Sequence, residues 1–590
     1  MLEKHDYNRS VLRVRVWYGA LLIILGIFGV RLFYIQVIQH GHYAAAARSD
    51  QLKQYDIPAT RGYIEARDGD NIMPLVLNQK LYTLFADPPL IKNVDQVSGQ
   101  IAGIIGGDNT NYANLMRTKN TQYVVLARKL SPDQEAKITG LQLPGVGTQE
   151  QDYRTYPESS IASQVLGFVN NEGVGKYGIE EALNKELSGT PGELKAITDT
   201  NGVPLAATKG NIQKPPINGK NVVLTIDLSM QAQMEKILKQ DYQNTKSNGL
   251  SAVIMDPNTG QIKAMANYPT YDPSNYSTVT DPSVFQNAAV TNAIEPGSSM
   301  KILTTAAALD QGVIQPDTSF FDPAKWNVDG FTITDIEQDG GARQQNIASL
   351  LNLSLNTGAT WELMQMGGGQ INAKARSAWF NYLTNHYQLG HPTGIEQGYE
   401  SVPYVTPPQD NGSAIDLTYA ETSFGQAIQI TALQMAAADS SVLNGGTYYK
   451  PTLVDEVIDQ NGKVTKQQPK IVQKNVVSSK VSQEMIPLME NVVQQHFVSG
   501  FSYLNFSPNY IVGGKTGTAQ IAQKGGGYSA TDYNGTYVGF VGGNKIQYVI
   551  VVYNLNPKVP GFAGSYGGQP VFSDLAHMLI DNSFVSPKSQ

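Results

Sequence analysis

Beyond about residue 220, the segments with a strand-like pattern lie at the two ends of the sequence, and the segments with a helical pattern lie between them. The strand-like segments are Val222–Ile226, Ala252–Met255, Ile262–Ala266, Tyr537–Val541 and Tyr548–Tyr553. A parallel sheet needs strands that alternate with helices along the chain, and this order does not provide them. The sequence therefore predicts an α+β domain in which helices cover an antiparallel sheet.

The length of the chain, 590 residues, exceeds what one hydrophobic core supports, so we expect a multidomain α+β protein. A polar stretch with two prolines, Gly210–Lys220, separates two regions of different composition. We therefore expect a mixed domain over residues 39–215 and the larger α+β domain over residues 216–590. Residues 1–15 precede an apolar segment over residues 16–38.

Before residue 215, local patterns predict a few elements. They are a hairpin turn at Asp68-Gly69, strands at Leu81–Ala86 and Val165–Val169, and a short helix at Ile179–Leu187. The segment Gly173–Gly178 has the spacing G-x-G-x-x-G of a dinucleotide-binding loop. No alternating strand–helix units follow this segment, so we interpret it as a glycine-rich turn and expect no cofactor.

An uncharged apolar run, Val16–Val30, predicts a membrane anchor. Extending it through Arg31 to Ile38 gives the ~20 residues that a spanning helix needs, and Arg31 can reach the interface with its long side chain. Four basic residues come before the run: Lys4, Arg9, Arg13 and Arg15. They predict a cytoplasmic N-terminus and extracytoplasmic later domains. A cleaved signal peptide is the alternative, but the small residues Ala44–Ala47 lie too far beyond the run.

Composition excludes several classes of function. The net charge of -7 argues against a nucleic-acid surface as the main partner. The chain has no cysteine, which excludes disulfides, thiolate metal sites and a cysteine nucleophile. Its seven histidines include no H-E-x-x-H pair, so we expect no metal site.

Three short motifs occur in order in the larger domain: S-x-x-K at Ser298–Lys301, S-x-N at Ser354–Asn356 and K-T-G at Lys515–Gly517. Each motif alone is common, but the ordered set is typical of penicillin-recognising serine acyl-transferases. The set predicts Ser298 as the nucleophile, and it places the other motif residues in the same catalytic site.

The first motif predicts a serine at the start of a helix. Pro296-Gly297 breaks the chain, and apolar residues then recur at helical spacing. A helix N-terminus favours a developing negative charge at Ser298 by about 0.3–1 kcal/mol. Lys301 lies on the same helix face and can be the general base. Burial and a second cation lower the pKa of a lysine, and Lys515 is the candidate for that cation. An ordinary N-cap with a helical lysine is the alternative.

The other two motifs complete the predicted site. Ser354 can relay a proton to the leaving amine and Asn356 can hold the substrate amide, although both could also form a polar helix cap. Apolar residues precede Lys515, so we expect an edge strand there, with a flexible turn as the alternative. Lys515 and Thr516 can hold a carboxylate, and Gly517 leaves room for a substrate. The backbone N–H groups of Ser298 and Thr518 can form an oxyanion hole, worth ~2.7–4 kcal/mol per donor.

On these residues the chain resembles the monofunctional class B penicillin-binding proteins, the D,D-transpeptidases of bacterial peptidoglycan. The likeness covers residues 16 to 580 and includes Glu295–Lys301, Arg61-Gly62-x-Ile64, Gly175-x-x-Gly178-Ile179-Glu180 and Phe424-Gly425-Gln426. Many members have serine where this chain has Leu355, a position that the motif does not constrain. The resemblance implies a pedestal domain of the dimerisation type over residues 39–215. It also implies a serine β-lactamase-like transpeptidase domain over residues 216–590.

The resemblance also implies the reaction and the partners. Ser298 attacks the D-Ala-D-Ala carbonyl of a donor stem peptide, Thr516, Gly517 and Thr518 bind the substrate, and β-lactams acylate the same serine. The implied partners are stem peptides on lipid-linked glycan strands, the bacterial cytoplasmic membrane, and a polytopic glycosyltransferase of the shape, elongation, division and sporulation (SEDS) class. The context of Glu295–Gly297 and of Ala306–Asp310 resembles the division branch more than the elongation branch.

Three other functions are compatible with the motifs. A membrane-anchored β-lactam sensor would keep them, but it needs a cytoplasmic or multi-span effector, and about 15 residues come before the apolar run. A D,D-carboxypeptidase or β-lactamase would not need the long region before the catalytic domain. An inactive scaffold would not need all three motifs intact.

Overall fold

A computed structural model describes residues 3–44, 52–197, 212–335, 341–409, 412, 414–523 and 526–589 of the chain. The chain divides into two units. One unit consists of residues 1–60 and 189–219, and the other consists of residues 61–188 and 220–590. Each unit is therefore assembled from two separate segments of the sequence.

The first unit contains the apolar N-terminal helix. The helix runs over Glu3–Phe33 and continues as a π-helical turn over Tyr34–Ile38. The stretch Val11–Ile38, of 28 residues, is long and apolar enough to cross a membrane, and none of its most apolar window is buried. The predicted apolar helix is confirmed, and it exceeds the ~20 residues that a bilayer requires.

The first unit also contains a small antiparallel sheet. Its strands are Leu52–Ile57, Gly192–Ile197 and Ile212–Lys214, in that order. The polar stretch Gly210–Lys220, which we interpreted as the boundary between two regions, therefore includes a strand, Ile212–Lys214, that pairs with Gly192–Ile197. Residues 210 and 211 of this stretch lie outside the described residues.

The second unit contains a seven-stranded sheet. The strands follow the order Val464–Lys466, Val454–Ile458, Asn221–Asp227, Ile64–Asp68, Asn71–Ala86 and Val124–Leu130, and Val146–Thr155 also pairs with Asn71–Ala86. Strand Asn221–Asp227 runs parallel to Ile64–Asp68, and the other neighbours are antiparallel. Three helices pack against one end of this sheet: Val94–Ile105, Asn109–Met116 and Pro132–Gly140.

The predicted local elements of this region have mixed outcomes. The turn at Asp68-Gly69 is confirmed, with Gly69 at φ +61°, and Leu81–Ala86 is the end of a 16-residue strand. The strand predicted at Val165–Val169 is wrong. The segment is a short helix, Ser163–Leu166, and a two-residue strand, Phe168–Val169, because Gly167 at φ +77° breaks the chain between them. The helix predicted at Ile179–Leu187 is split into Gly178–Ala182 and Asn184–Ser188.

A five-stranded antiparallel sheet is the centre of the larger domain. Its strands follow the order Ile262–Tyr268, Gly249–Met255, Ile546–Leu555, Tyr528–Gly542 and Ile511–Ala522. The prediction of an antiparallel sheet built from both ends of the domain is confirmed. The strand predicted at Val222–Ile226 also exists, but it belongs to the seven-stranded sheet. An apolar run does not specify which strand it pairs with.

Helices cover both faces of the five-stranded sheet. Along each strand, neighbouring residues point to opposite faces, so Ile254 and Ile550 enter one apolar core and Val253 and Val551 enter the other. Helices Leu228–Thr245 and Gln569–Asp581 cover the first face. Helices Lys301–Asp310, Ala432–Leu443 and Ser479–Val498 cover the second face.

Further helices and three two-stranded sheets belong to the helical layer on the second face. The helices are Ile347–Leu353, Asn356–Met366, Ala373–Asn381 and Ile415–Ser423. The two-stranded sheets are Ser319–Asp322 with Arg343–Asn346, Lys325–Val328 with Phe331–Thr334, and Thr447–Tyr449 with Ile471–Lys474. This layer and the edge strand Ile511–Ala522 together carry all three sequence motifs.

Candidate active site

Ser298 lies in a turn of 3₁₀-helix, Gly297–Met300, that leads directly into helix Lys301–Asp310. The predicted helix start is confirmed, and an N–H in the first turn of a helix has no acceptor within the helix. Gly297 has φ +58°, and a Cβ on it would lie 2.6 Å from the carbonyl oxygen of Thr518. Glycine is therefore required here, both for the backbone conformation and for the close approach of the edge strand.

Lys301 is fully buried and its Nζ contacts residues of two motifs. Nζ donates hydrogen bonds to Ser298 Oγ at 2.9 Å and to Asn356 Oδ1 at 2.8 Å. It also donates to the backbone carbonyl of Ser354. The first and second motifs, 53 residues apart at Lys301 and Ser354, therefore meet at a single amine.

Ser354 lies in the turn between helices Ile347–Leu353 and Asn356–Met366, with the left-handed backbone angles φ +62° and ψ +43°. Its Oγ accepts hydrogen bonds from Lys515 Nζ at 3.0 Å and from Lys301 Nζ at 3.3 Å. The residue does end a helix, as the alternative interpretation expected, and the same turn places its hydroxyl between the two lysines. A non-glycine residue in this conformation is uncommon and often marks a functional position.

The amide of Asn356 contacts protein atoms on both sides. Its Oδ1 accepts from Lys301 Nζ, and its Nδ2 donates to the carbonyl of Thr334 at 3.2 Å. The first of these bonds positions the lysine amine in the absence of substrate. The sequence argument expected Asn356 to hold the substrate amide, and in this arrangement it also orients Lys301.

The third motif lies on strand Ile511–Ala522, which is the predicted edge strand of the five-stranded sheet. Lys515 is 1% exposed, and its Nζ reaches Ser354 Oγ and the carbonyl of Thr516. The hydroxyl of Thr518 accepts from the backbone N–H of Gly564 at 2.9 Å. The strand therefore has its lysine buried beneath the site, while its threonines line the surface above it.

Gly517 has a different structural reason from the one that the sequence suggested. A Cβ at this position would lie 2.3 Å from the carbonyl oxygen of Pro296 and 2.2 Å from Thr536 Oγ1. The sequence argument expected substrate in the space beside Gly517. The turn that carries Ser298 occupies that space instead. Glycine lets the turn Gly297–Met300 and the edge strand approach each other.

The motif residues line one open groove with a volume of about 520 Å³. Those at its surface are Ser298, Ser354, Asn356, Thr516 and Thr518. Lys301 and Lys515 lie beneath the floor and reach it through their amines. Other lining residues that the motifs did not predict are Thr334, Asp335, Asn352, Leu353, Phe424, Gln426, His496, Gln520, Tyr533, Phe562 and Ser565.

His496 is the groove residue that sequence reasoning missed most completely. It lies on helix Ser479–Val498, and its Nδ1 is 2.8 Å from Nε2 of Gln569. Burial, and then the positive charge of Lys515, lower the pKa of His496 to about 4. The imidazole is therefore neutral at physiological pH, and no local motif marks it, since its neighbours come from distant segments.

Glu295, next to the first motif, also lies near the groove. Its Oε1 accepts from Tyr528 Oη at 2.9 Å and from the backbone N–H of Ala427 at 2.9 Å. Burial raises the pKa of this carboxyl group. Glu295 therefore connects the segment that leads into Ser298 to the segment Phe424–Ala427, which the sequence had indicated only through its resemblance to a family.

Two family models match the chain. The penicillin binding protein transpeptidase domain matches residues 250–577, and the penicillin-binding protein dimerisation domain matches residues 56–224. The chain is 30% identical over 572 residues to stage V sporulation protein D of Bacillus subtilis (strain 168), covering 96% of this chain and 85% of that protein. It is 24% identical over 575 residues to peptidoglycan D,D-transpeptidase FtsI of Escherichia coli (strain K12), covering 96% and 91%.

Solved structures share the fold. Penicillin binding protein 2X from Streptococcus thermophilus gives a TM-score of 0.70 at 24% identity, over 90% of this chain and 80% of that chain. Penicillin binding protein 3 from Mycobacterium tuberculosis, complexed with aztreonam, gives 0.67 at 24% identity, over 91% and 98%. The predicted multidomain α+β architecture is therefore confirmed.

Proposed function

This chain belongs to the penicillin-binding protein transpeptidase family, and we propose that it is a serine-type peptidoglycan D,D-transpeptidase whose acyl-enzyme forms on Ser298. It acts in cell-wall synthesis, with peptidoglycan as substrate and β-lactams as inhibitory ligands. The observation that carries the assignment of residues is the 2.9 Å contact between Lys301 Nζ and Ser298 Oγ, with Ser354 Oγ between the two buried lysines.

The contacts of Lys301 support a role as general base. The Ser354 carbonyl and Asn356 Oδ1 can only accept hydrogen bonds, so they can take both N–H groups of a neutral amine. In that neutral state the hydrogen bond between Nζ and Ser298 Oγ reverses, and the serine hydroxyl donates its proton to the lone pair of the amine. A weak nucleophile such as serine needs a base within hydrogen-bond reach, and 2.9 Å satisfies this requirement.

In the proposed acylation, a bond forms between Ser298 Oγ and the carbonyl carbon of the D-Ala-D-Ala bond as the serine proton passes to Lys301. The N–H groups of Ser298 and Thr518 stabilise the oxyanion. The C–N bond then breaks, and the proton passes from Lys301 through the hydroxyl of Ser354 to the leaving amine of D-Ala. Lys515, Thr516 and Thr518 hold the terminal carboxylate.

The second half-reaction regenerates the serine. An amine of a neighbouring stem peptide attacks the acyl carbon and loses its proton to Lys301, which returns a proton to Ser298 as the ester bond breaks. A β-lactam undergoes only the acylation half-reaction. Its ring opens as Ser298 is acylated, and the leaving amine stays attached to the acyl group because both belong to the same molecule. The same residues therefore account for both the cross-link and the antibiotic adduct.

The test is mass mapping of the adduct formed with a fluorescent penicillin, together with its lifetime. We expect the label on Ser298 and a long-lived adduct, and a lifetime of seconds would instead indicate a β-lactamase. The variant Ser298→Ala should lose the label and keep its stability. Ser299→Ala is the matched control and should keep the label, because Ser299 is buried and its Oγ donates to the Pro296 carbonyl at 2.9 Å. Label on any other serine would contradict the assignment.

The location and partners of the enzyme extend this proposal. We infer a single-pass anchor with residues 1–15 in the cytoplasm, a pedestal over residues 39–215 and an extracytoplasmic transpeptidase domain over residues 216–590. The support is the four basic residues before Val16, together with the 28-residue stretch Val11–Ile38 that is long and apolar enough to cross a membrane. From the family resemblance we also propose a SEDS-class glycosyltransferase as partner and a role in division. Co-purification of that partner with the full chain, and its loss on replacing the apolar helix, would test the association.

A further inference from the structure

A carboxylic acid that none of the three motifs contains lies close behind the catalytic lysine. Glu362 is on helix Asn356–Met366 and is fully buried. Its Oε2 accepts a hydrogen bond from Thr305 Oγ1 at 3.1 Å, and its Oε1 has no hydrogen-bond partner among the residues that the structure describes. A buried carboxylate with one hydrogen bond is poorly solvated, so the site favours the neutral acid.

Two helices link Glu362 to Lys301: the helix on which Glu362 lies and the helix that carries Thr305. Thr305 lies one turn beyond Lys301 on helix Lys301–Asp310, and Glu362 shares its own helix with Asn356, which contacts Lys301 Nζ at 2.8 Å. The positive charge of Lys301 acts on Glu362. Burial is nevertheless the largest effect, and it raises the pKa of Glu362 to about 8 against the opposing effects of Thr305 and Lys301.

The elements packed around this helix carry other charged groups, most of which have hydrogen-bond or ion-pair partners of their own. Asp310 accepts from Tyr382 Oη, and Arg376 pairs with Asp416. Thr357 donates its hydroxyl to Asp322 and its backbone N–H to Asp335, whose pKa burial raises and the charge of Lys301 lowers. Glu421 is on helix Ile415–Ser423. The positive charge of Lys301 lowers the pKa of Glu362, so the ionisation of one group affects the ionisation of the other.

We propose that Glu362 is a positioning residue that acts through Lys301, an inference that rests on the proposed function. While Glu362 is protonated, Lys301 can lose its proton and serve as the base. When Glu362 ionises, its carboxylate holds Lys301 in the ammonium form, and the acylation of Ser298 slows. Glu362 thereby sets an alkaline limit on the reaction.

The test is the second-order rate of Ser298 acylation by a fluorescent penicillin, compared for the full-length wild type and Glu362→Gln between pH 6.5 and 9. Glutamine keeps the shape and the acceptor for Thr305 but cannot ionise. We expect equal rates at pH 6.5, since both side chains are neutral there. The variant should then become faster, by about twofold at pH 8 and about tenfold at pH 9, as the wild-type acid ionises.

Two further variants make the comparison specific. Asp439→Asn alters another fully buried acid whose pKa is raised by burial, but it lies on helix Ala432–Leu443, so its rate ratio to wild type should stay constant with pH. Thr305→Val removes the hydrogen bond that stabilises the Glu362 carboxylate. It should therefore move the alkaline decline to higher pH, and it keeps the idea testable if Glu362→Gln does not fold.

The outcomes separate this inference from the proposed function. If the wild type is labelled on Ser298 and the ratio of Glu362→Gln to wild type is flat from pH 6.5 to 9, Glu362 does not act through Lys301. A ratio below one at pH 6.5 in a folded variant would also overturn the inference, because it would require the wild-type carboxylate. If Ser298 is not labelled at any pH, the proposed function itself fails.

Discussion

Exchanging each buried lysine for arginine separates a base from a charge. Lys301→Arg keeps the positive charge beside Ser298, but a guanidinium stays protonated and cannot accept the serine proton. We therefore expect it to lose acylation as completely as Lys301→Ala. Lys515→Arg keeps the positive charge beside Ser354 and beside Thr516, the threonine that we propose binds the carboxylate. We expect it to retain measurable acylation, while Lys515→Ala loses much more.

The sizes of these effects follow from the positions of the two amines. Lys301 Nζ lies 2.9 Å from Ser298 Oγ, at the distance where a base transfers a proton directly. Loss of a general base removes ~10²–10⁴ in rate, which is about 2.7–5.4 kcal/mol of barrier. Lys515 is 1% exposed, and removing one partner of a buried charge pair costs about 2–5 kcal/mol when the substrate carboxylate arrives. Charge retention by arginine should avoid most of that second cost.

The assay is the second-order rate of penicillin acylation for the four variants at one pH. Both lysines are buried, so a substitution at either position can disturb the fold. Circular dichroism and thermal melting therefore serve to check that each variant is folded. A rate for Lys301→Arg within about tenfold of wild type would refute the assignment of Lys301 as the base. The mechanism would then need another proton acceptor for Ser298.

Three further predictions concern the anchor, the groove and the nucleophile turn. Deleting residues 1–38 should give a protein that stays in solution without detergent and reacts with penicillin at the wild-type rate, and a requirement for detergent would contradict the anchor. The low pKa of His496, about 4, lies below its ordinary value, so burying the neutral form stabilises the fold above about pH 6.5, and this contribution is lost as the pH falls towards 4. In urea titrations between pH 6.5 and 4, the free energy of unfolding of His496→Gln should fall less than that of the wild type, by up to about 3 kcal/mol. Equal falls in the two proteins would contradict this prediction. In Gly517→Ala the new Cβ would lie 2.3 Å from the carbonyl oxygen of Pro296. This overpacking should destabilise the fold by about 1–3 kcal/mol, seen as a lower melting temperature, and should slow acylation more than tenfold. A variant that reacts at the wild-type rate would contradict the proposed close packing.

Local spacing in the sequence determined the parts of the site that depend on neighbouring residues. A proline–glycine break followed by helical periodicity was enough to place Ser298 at a helix start with Lys301 one turn on. The apolar residues before Lys515 were enough to predict a strand. The antiparallel sheet was also predictable, because the order of strands and helices along the chain excludes alternating parallel units.

Tertiary structure alone decided how distant segments pair and what fills the space between them. Val222–Ile226 is a strand as its pattern predicts, but its place in the seven-stranded sheet depends on Ile64–Asp68, more than 150 residues earlier. Gly517 is needed for contact with Pro296, and periodicity contains no information about that contact.

The same limit applies within the site. The position of Ser354 Oγ between Lys301 and Lys515 joins residues 53 and 161 positions apart. The neutral states of His496 and Glu362 arise from burial by segments from elsewhere in the chain. A sequence pattern reports the preferences of nearby residues, whereas desolvation and packing depend on atoms that only the folded chain brings together.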